Sequence, residues 1–214
     1  MGGSWAGDVN DCWDYCFGRE EQVVNQLVGI VNDLGLDGVD LDYEYFYEDN
    51  QNNSGFDKGA EAQTFLTEVT KGLHEKLPAG SIVTHAPMDS DVVPGSAYYN
   101  ILKSQANMLD FLMPQYYNGI TRPGSNFGGA LSHFQTLTND MFGGDPTKIV
   151  FGFCISDCSG TGSNLNGNQA ASVMSQLGDN YGCNGGAFFW VAAHDYGGSW
   201  SSVVNAEIQQ NTCA

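Results

Sequence analysis

Hydrophobic positions along this chain change period repeatedly. Residues 19–34 place Val23, Val24, Leu27, Val28, Val31 and Leu34 on one side of a 3.6-residue repeat, which predicts an amphipathic helix ending before Gly35. Residues 37–44 then switch to strict alternation, with Val39 and Leu41 set between Asp40, Asp42 and Glu44, the period of a strand. A second helix is predicted over 57–77 from Ala62, Phe65, Leu66, Val69 and Leu73, stopped by Pro78 and Gly80. Apolar strand segments follow at 81–88, 109–118, 148–154 and 185–191. Helical periodicity comes after each of them: over 98–106, through Leu131, Phe134, Leu137 and Met141, over 168–177, and over 199–210. Strand and helix in alternation argue for βαβ units and a parallel sheet. No internal repeat, low-complexity tract or linker interrupts the pattern, so a single domain is expected over residues 1–214.

Composition narrows what such a domain could meet. At 214 residues and 42% hydrophobic content, the chain can bury one substantial core. A formal net charge of −18 disfavours nucleic acid and anionic membrane surfaces, both polyanions, and suits a neutral or weakly cationic substrate. No apolar run approaches the roughly 20 residues that span a bilayer.

The chemistry concentrates in residues 37–44. Alternate side chains of a strand share a face, so Asp40, Asp42 and Glu44 project the same way, roughly 6.6 Å apart. Carboxylates so close repel one another, so at least one should keep its proton near neutral pH. A general acid can use such a site. A solvated edge or a cation site is the alternative. The EF-hand register, which needs Gly at its sixth position and Glu at its twelfth, does not fit, and the apolar residues between the acids argue for a buried strand.

The octapeptide Asp37-Gly38-Val39-Asp40-Leu41-Asp42-Tyr43-Glu44 resembles the DxxDxDxE signature of family 18 glycoside hydrolases at every position. Gln115-Tyr116-Tyr117-Asn118 is similar to the family's strand 6 motif, and Trp190 resembles the Trp that ends strand 8. The resemblance implies a (β/α)₈ TIM-barrel fold, in which active sites gather at the C-terminal ends of the strands. The octapeptide normally ends strand 4, and Met1-Gly2-Gly3 looks like the close of the SxGG motif on strand 3. On that reading the barrel is incomplete: strands 4–8 and the end of strand 3 are present, and strands 1–2 and most of 3 are missing. A glycine-rich tag or a chance turn is the other reading of Gly2-Gly3. An open barrel would leave apolar side chains such as Val39 and Ala187 facing the gap, inviting self-association, a covering partner or a further segment.

What the resemblance implies chemically is retaining, substrate-assisted hydrolysis of β-1,4 links between N-acetylglucosamine units, as an endo-acting chitinase. Catalytic roles would fall to Glu44 as general acid, Asp42 as the group orienting the substrate acetamide, Asp40 behind it, and Tyr117 on the acetamide carbonyl. Trp190 would floor the sugar subsite, although a strand-end Trp is otherwise often core. Gln115, Tyr116, Asn118, Met88, Gly3 and Trp5 complete the substrate-binding candidates. No metal or organic cofactor is required by that mechanism. The four histidines are scattered and read as structural. Two other functions stay open: an endo-β-N-acetylglucosaminidase cutting the chitobiose core of N-glycans, and a non-catalytic sugar-binding relative. The last usually lacks the acid corresponding to Glu44, which this chain keeps.

Six cysteines in a short acidic hydrolase-like chain suggest an oxidising, extracellular setting. Cys12/Cys16 and Cys154/Cys158 share a separation that permits local pairing, leaving Cys183–Cys213, which is one choice among 15 connectivities. Asn52-Asn53-Ser54 is a sequon for N-glycosylation.

Overall fold

The computed structural model describes residues 12–44 and 58–210. Gly3, Trp5, the aromatic run at 45–47, the sequon and Cys213 lie outside the described residues. The described chain carries five strands and six α-helices in the order α1, β1, α2, β2, α3, β3, α4, β4, α5, β5, α6. Every strand is followed by a helix, as the period changes predict. Two compact units emerge. One comprises the described residues through Pro87 with Pro94–Asp110, and the other Met88–Val93 with the described residues from Phe111 on.

The first unit begins with α1 (Glu20–Leu34), which ends on Gly35 in the left-handed conformation at φ 61°. Glycine adopts that conformation at no steric cost. Val24 and Val31 are buried on α1, whereas Leu34, grouped with them by periodicity, is exposed in the last turn. Strand β1 (Gly38–Leu41) pairs in parallel with β2 (Ile82–His85), in register Asp40↔Thr84 and Leu41↔His85. Gly38 permits this pairing, because a Cβ there would stand 2.0 Å from the Ile82 carbonyl oxygen. Helix α2 (Lys58–Lys76) covers one face through Phe65, Leu66, Val69 and Leu73, all fully buried. Helix α3 (Ala97–Ser104) starts at Ser96, whose hydroxyl accepts from the Tyr99 N–H.

His85 shows how closely this core is satisfied. The Thr70 hydroxyl donates to the Leu66 carbonyl at 2.6 Å, so it accepts from His85 Nε2–H at 2.9 Å, leaving Nδ1 to take the Tyr98 hydroxyl proton at 2.9 Å. Burial lowers the His85 pKa to about 3, and the ring stays neutral.

In the second unit β4 (Phe151–Cys154) pairs in parallel with β5 (Ala187–Trp190), in register Cys154↔Trp190. β3 is only Phe111–Leu112, much shorter than the 109–118 segment the sequence suggests. Pro114 lacks an N–H and breaks the ladder, although its carbonyl still accepts from Gly152 at 3.1 Å. Pairing beyond it survives as single parallel bridges, Met88↔Gln115 and Gln115↔Gly152. Likewise β2 stops at His85, ahead of Pro87. Helices α4 (Phe127–Phe142), α5 (Gly167–Asn180) and α6 (Ser201–Ile208) complete the unit. Phe151 stacks on Tyr116 at 4.1 Å, and Phe153 and Phe189 pack on Trp200 at 5.7 and 4.7 Å. The Trp200 indole N–H donates to the Leu165 carbonyl at 2.9 Å, which satisfies its buried polar end.

Candidate active site

Strand parity sets out the acids as expected. From Gly38 to Glu44 burial alternates without a break, with Val39, Leu41 and Tyr43 buried and Asp40, Asp42 and Glu44 half-buried. The alternation continues past the last residue of β1, because Tyr43 is held in an aromatic core. Its ring lies 4.6 Å from Trp13 and 6.4 Å, edge-on, from Tyr98. The buried aromatic thus fixes the backbone that presents Asp42 and Glu44 on either side of it.

The three acids are not equivalent. Asp40 accepts a 2.6 Å hydrogen bond from Thr84, its register partner on β2. Burial raises the Asp40 pKa, and the Thr84 bond offsets part of that. Asp42 is raised further, to about 7, by burial first and then by the charges of Glu44 and Asp40. It also hydrogen-bonds Glu44, which favours its protonated form. Burial and like charge thus keep a proton on the hydrogen-bonded Asp42–Glu44 pair, as crowding predicts for the trio.

The second unit presents an aromatic strand end. Tyr117, buried, meets Phe188 edge-on at 6.5 Å and packs against the Cys154–Cys158 disulfide. On β5, Phe188 and Trp190 share one face by parity, opposite Phe189, which packs on Trp200. Trp190 is 50% exposed, so it is not core filler. Gln115 is buried between its two bridge partners, and Met88, one of these, is half-buried. Asn118 is exposed at φ 61°, with its side-chain oxygen accepting from Thr161 at 2.6 Å and its backbone N–H donating to Ser163 at 2.9 Å. Tyr116 is placed elsewhere. Opposite in parity to Tyr117, it is fully buried between Phe151 and His133, with its hydroxyl 3.3 Å from His133 Nδ1. As a substrate contact Tyr116 is corrected to a core residue of this unit.

One residue of this end was not singled out by the sequence. Asp89 is completely buried, and its carboxylate accepts from the Ile120 N–H at 2.9 Å, the Thr121 N–H at 2.8 Å and the Thr121 hydroxyl. It pins the turn that follows Tyr117-Asn118. Gly119 lies so close that a Cβ would come within 1.6 Å of Asp89 Oδ1. Nothing local to an Asp-Ser-Asp loop signals this, since the partners lie 31 and 32 residues further on.

Of the expected disulfides, Cys154–Cys158 is formed, with Cα atoms 6.2 Å apart. Cys183 is likewise disulfide-bonded. The pairings Cys12–Cys16 and Cys183–Cys213 each involve a side chain outside the described residues. Among the described residues no group of three or more His, Cys, Asp or Glu side chains is arranged to hold a metal ion. Nor is any helix among them long and apolar enough to cross a membrane.

No protein-family model matches the chain, and no curated protein sequence matches it. Solved structures do. A GH18 chitinase from Pseudoalteromonas aurantia aligns with a TM-score of 0.75 at 20% identity, over 96% of this chain and 74% of that one. A fungal endo-β-N-acetylglucosaminidase from glycosyl hydrolase family 18 aligns with a TM-score of 0.65 at 18% identity, over 98% and 69%. A chitinase from Bacteroides thetaiotaomicron gives 0.61 at 15% identity, over 91% and 70%. The chain therefore has the fold of family 18 glycoside hydrolase structures, a (β/α)₈-barrel-like fold of which the described residues show five strand–helix units.

Proposed function

We propose that the chain hydrolyses β-1,4 links between N-acetylglucosamine units, in chitin or its oligosaccharides, by a retaining, substrate-assisted route. The observation that carries this reading is the crowded acid face of β1, where burial and like charge keep a proton on the hydrogen-bonded Asp42–Glu44 pair up to about pH 7. In the reacting arrangement that proton sits on Glu44 and Asp42 is ionised. The motif similarity and the family 18 fold support it. Glu44 donates a proton to the glycosidic oxygen as the bond to the anomeric carbon breaks. The substrate's acetamide oxygen attacks that carbon from the other face, giving an oxazolinium ion. Asp42 orients the acetamide N–H and offsets the positive charge that develops there, with Asp40 sharing charge behind it. Water then opens the ring, losing a proton to Glu44, and the product keeps the starting configuration. Tyr117 takes the acetamide carbonyl side, and Trp190 offers an apolar face to the sugar. Secretion suits a chain with this chemistry and a formed disulfide.

Likeness to the fungal endo-β-N-acetylglucosaminidase structure favours a second substrate, the chitobiose core of N-glycans. One experiment separates these. The chain is given N-acetylglucosamine oligomers, a fully deacetylated chitosan and a high-mannose glycoprotein, and the first products are analysed for anomer. Retained cleavage of the oligomers with chitosan untouched is expected. Glycan release alone would move the substrate to N-glycans, and efficient chitosan cleavage would remove the acetamide as nucleophile.

A further inference from the structure

At the C-terminal ends of β4 and β5 stands a polar group that the proposed mechanism does not use. His194 Nδ1 lies 2.6 Å from the Ser156 hydroxyl and 3.3 Å from Asp157 Oδ1, and the same hydroxyl is 3.3 Å from Asp157 Oδ1. These distances make a consistent chain. Nδ1–H donates to Ser156, and Ser156 donates to Asp157. In the neutral ring that leaves Nε2 as an acceptor with no hydrogen bond from the described residues. All three side chains are solvent-accessible, that of His194 by 33% and that of Asp157 by 46%.

The loop carrying two of them is held unusually firmly for an exposed five-residue segment. The Cys154–Cys158 disulfide closes it. Asn164 braces it from inside, accepting from the Cys158 N–H at 2.8 Å and donating to the Ser156 carbonyl at 2.8 Å. The Ile155 N–H donates to the Trp190 carbonyl at 3.0 Å, and the His194 N–H donates to the Val191 carbonyl at 2.9 Å. The polar group is therefore tied to the backbone carbonyls of Trp190 and Val191. A half-exposed indole on the strand end whose backbone anchors preorganised hydroxyl, imidazole and carboxylate groups has the composition of a sugar site, apolar on one face and hydrogen-bonding at the rim. Preorganisation lowers the entropy cost of binding, which gives the two locks a purpose beyond stability.

We propose that Ser156, Asp157 and His194 form a hydroxyl-binding subsite for the sugar unit next to the one that meets Trp190, with His194 Nε2 and Asp157 as acceptors. The inference rests on the reading that Trp190 takes an N-acetylglucosamine unit, and it adds a determinant of chain length. Binding of the dimer through the hexamer of N-acetylglucosamine is measured by calorimetry in the Glu44→Gln background, with His194→Ala, Asp157→Asn and Trp190→Ala compared. Loss of a sugar hydrogen bond is expected to weaken the long oligomers about tenfold in His194→Ala and less in Asp157→Asn, with the shortest unaffected. Thermal melting should be unchanged, because both side chains are accessible. If Trp190→Ala weakens binding while His194→Ala and Asp157→Asn match the parent at every length, the subsite is wrong and the function stands. A loss equal at all lengths together with a lowered Tm would make the group structural. No oligomer binding in the parent would overturn both the function and the subsite.

Discussion

The acid end of β1 and the aromatic end of β5 belong to different units and are built on opposite principles. At β1 the groups are acids packed near one another and drawn half out of water, so that burial and repulsion keep a proton on the Asp42–Glu44 pair. Their backbone is fixed from the reverse face by Tyr43, Trp13 and Tyr98. At β5 the exposed group is an uncharged indole, and the precision lies in the loops around it: a disulfide, the Asn164 brace and the buried Asp89 that pins the turn after Tyr117. On the proposed function, reactivity would be set at the first end by electrostatics, and shape at the second by hydrogen-bonded scaffolding. Substitutions at the two ends should therefore fail in different ways.

The largest difference is expected at Glu44. Glu44→Gln keeps the shape but removes the transferable proton, so turnover on N-acetylglucosamine oligomers should fall by about 10²- to 10⁴-fold with oligomer binding retained. Steady-state kinetics with direct binding measurements would check this, and full activity in the variant would shift the acid to another residue. At the aromatic end Trp190→Ala should do the reverse. Removing one stacking face, at about 1–2 kcal/mol, should raise KM roughly tenfold with kcat far less affected and no loss of thermal stability. A fall in kcat matching that of Glu44→Gln would erase the distinction between the ends.

These two ends differ also in how far the sequence announced them. The acid face was legible because strand period and charge coincide, and period-2 alternation survives local irregularity. It persists through Glu44 even though the ladder of β1 closes at Leu41. Alternation also separates Tyr117 from Tyr116, but not which of them faces the helices. That follows from His133 on α4 and Phe151 on β4, distant in sequence. Strand lengths were overread at Pro87 and Pro114, where an apolar run continues but the hydrogen-bond donor is absent. Asp89 and the Ser156–Asp157–His194 group were not legible, because their meaning depends on backbone groups or side chains some thirty residues away or more.

Asp89 gives a smaller prediction at the aromatic end. In Asp89→Asn one acceptor oxygen becomes an NH₂ that meets the Ile120 or Thr121 N–H donor. Leaving such a buried donor unpaired costs about 1–3 kcal/mol, which for a chain of this size lowers Tm by roughly 2–4 °C per kcal/mol. Because the pinned turn follows Tyr117, kcat should also fall, whereas Thr121→Ser, which keeps both N–H donors and the hydroxyl, should restore neither loss nor create one. Calorimetric melting and kinetics on the three proteins would decide. An Asp89→Asn protein melting with the parent would show that the turn holds without the carboxylate.

The smallest effect is a pH dependence that belongs to the acid end alone. In the unfolded chain Asp42 ionises near its ordinary value of about 3.9, and in the folded chain at about 7. Between these values the folded state binds more protons than the unfolded one, so stability falls as pH rises through the window. The penalty is absent below about pH 4 and complete above about pH 7. Asp42→Asn removes the ionisation while keeping the side-chain shape. The variant should therefore melt close to the parent at pH 4 and above it at pH 8, with the gap opening across the interval between. Partial exposure to solvent will keep that gap modest. Trp190→Ala, which removes no charge, should show an offset from the parent that is the same at both pH values. Melting the three proteins at pH 4 and pH 8 makes the comparison. An Asp42→Asn offset as flat as that of Trp190→Ala would mean that Asp42 is not the residue holding the proton.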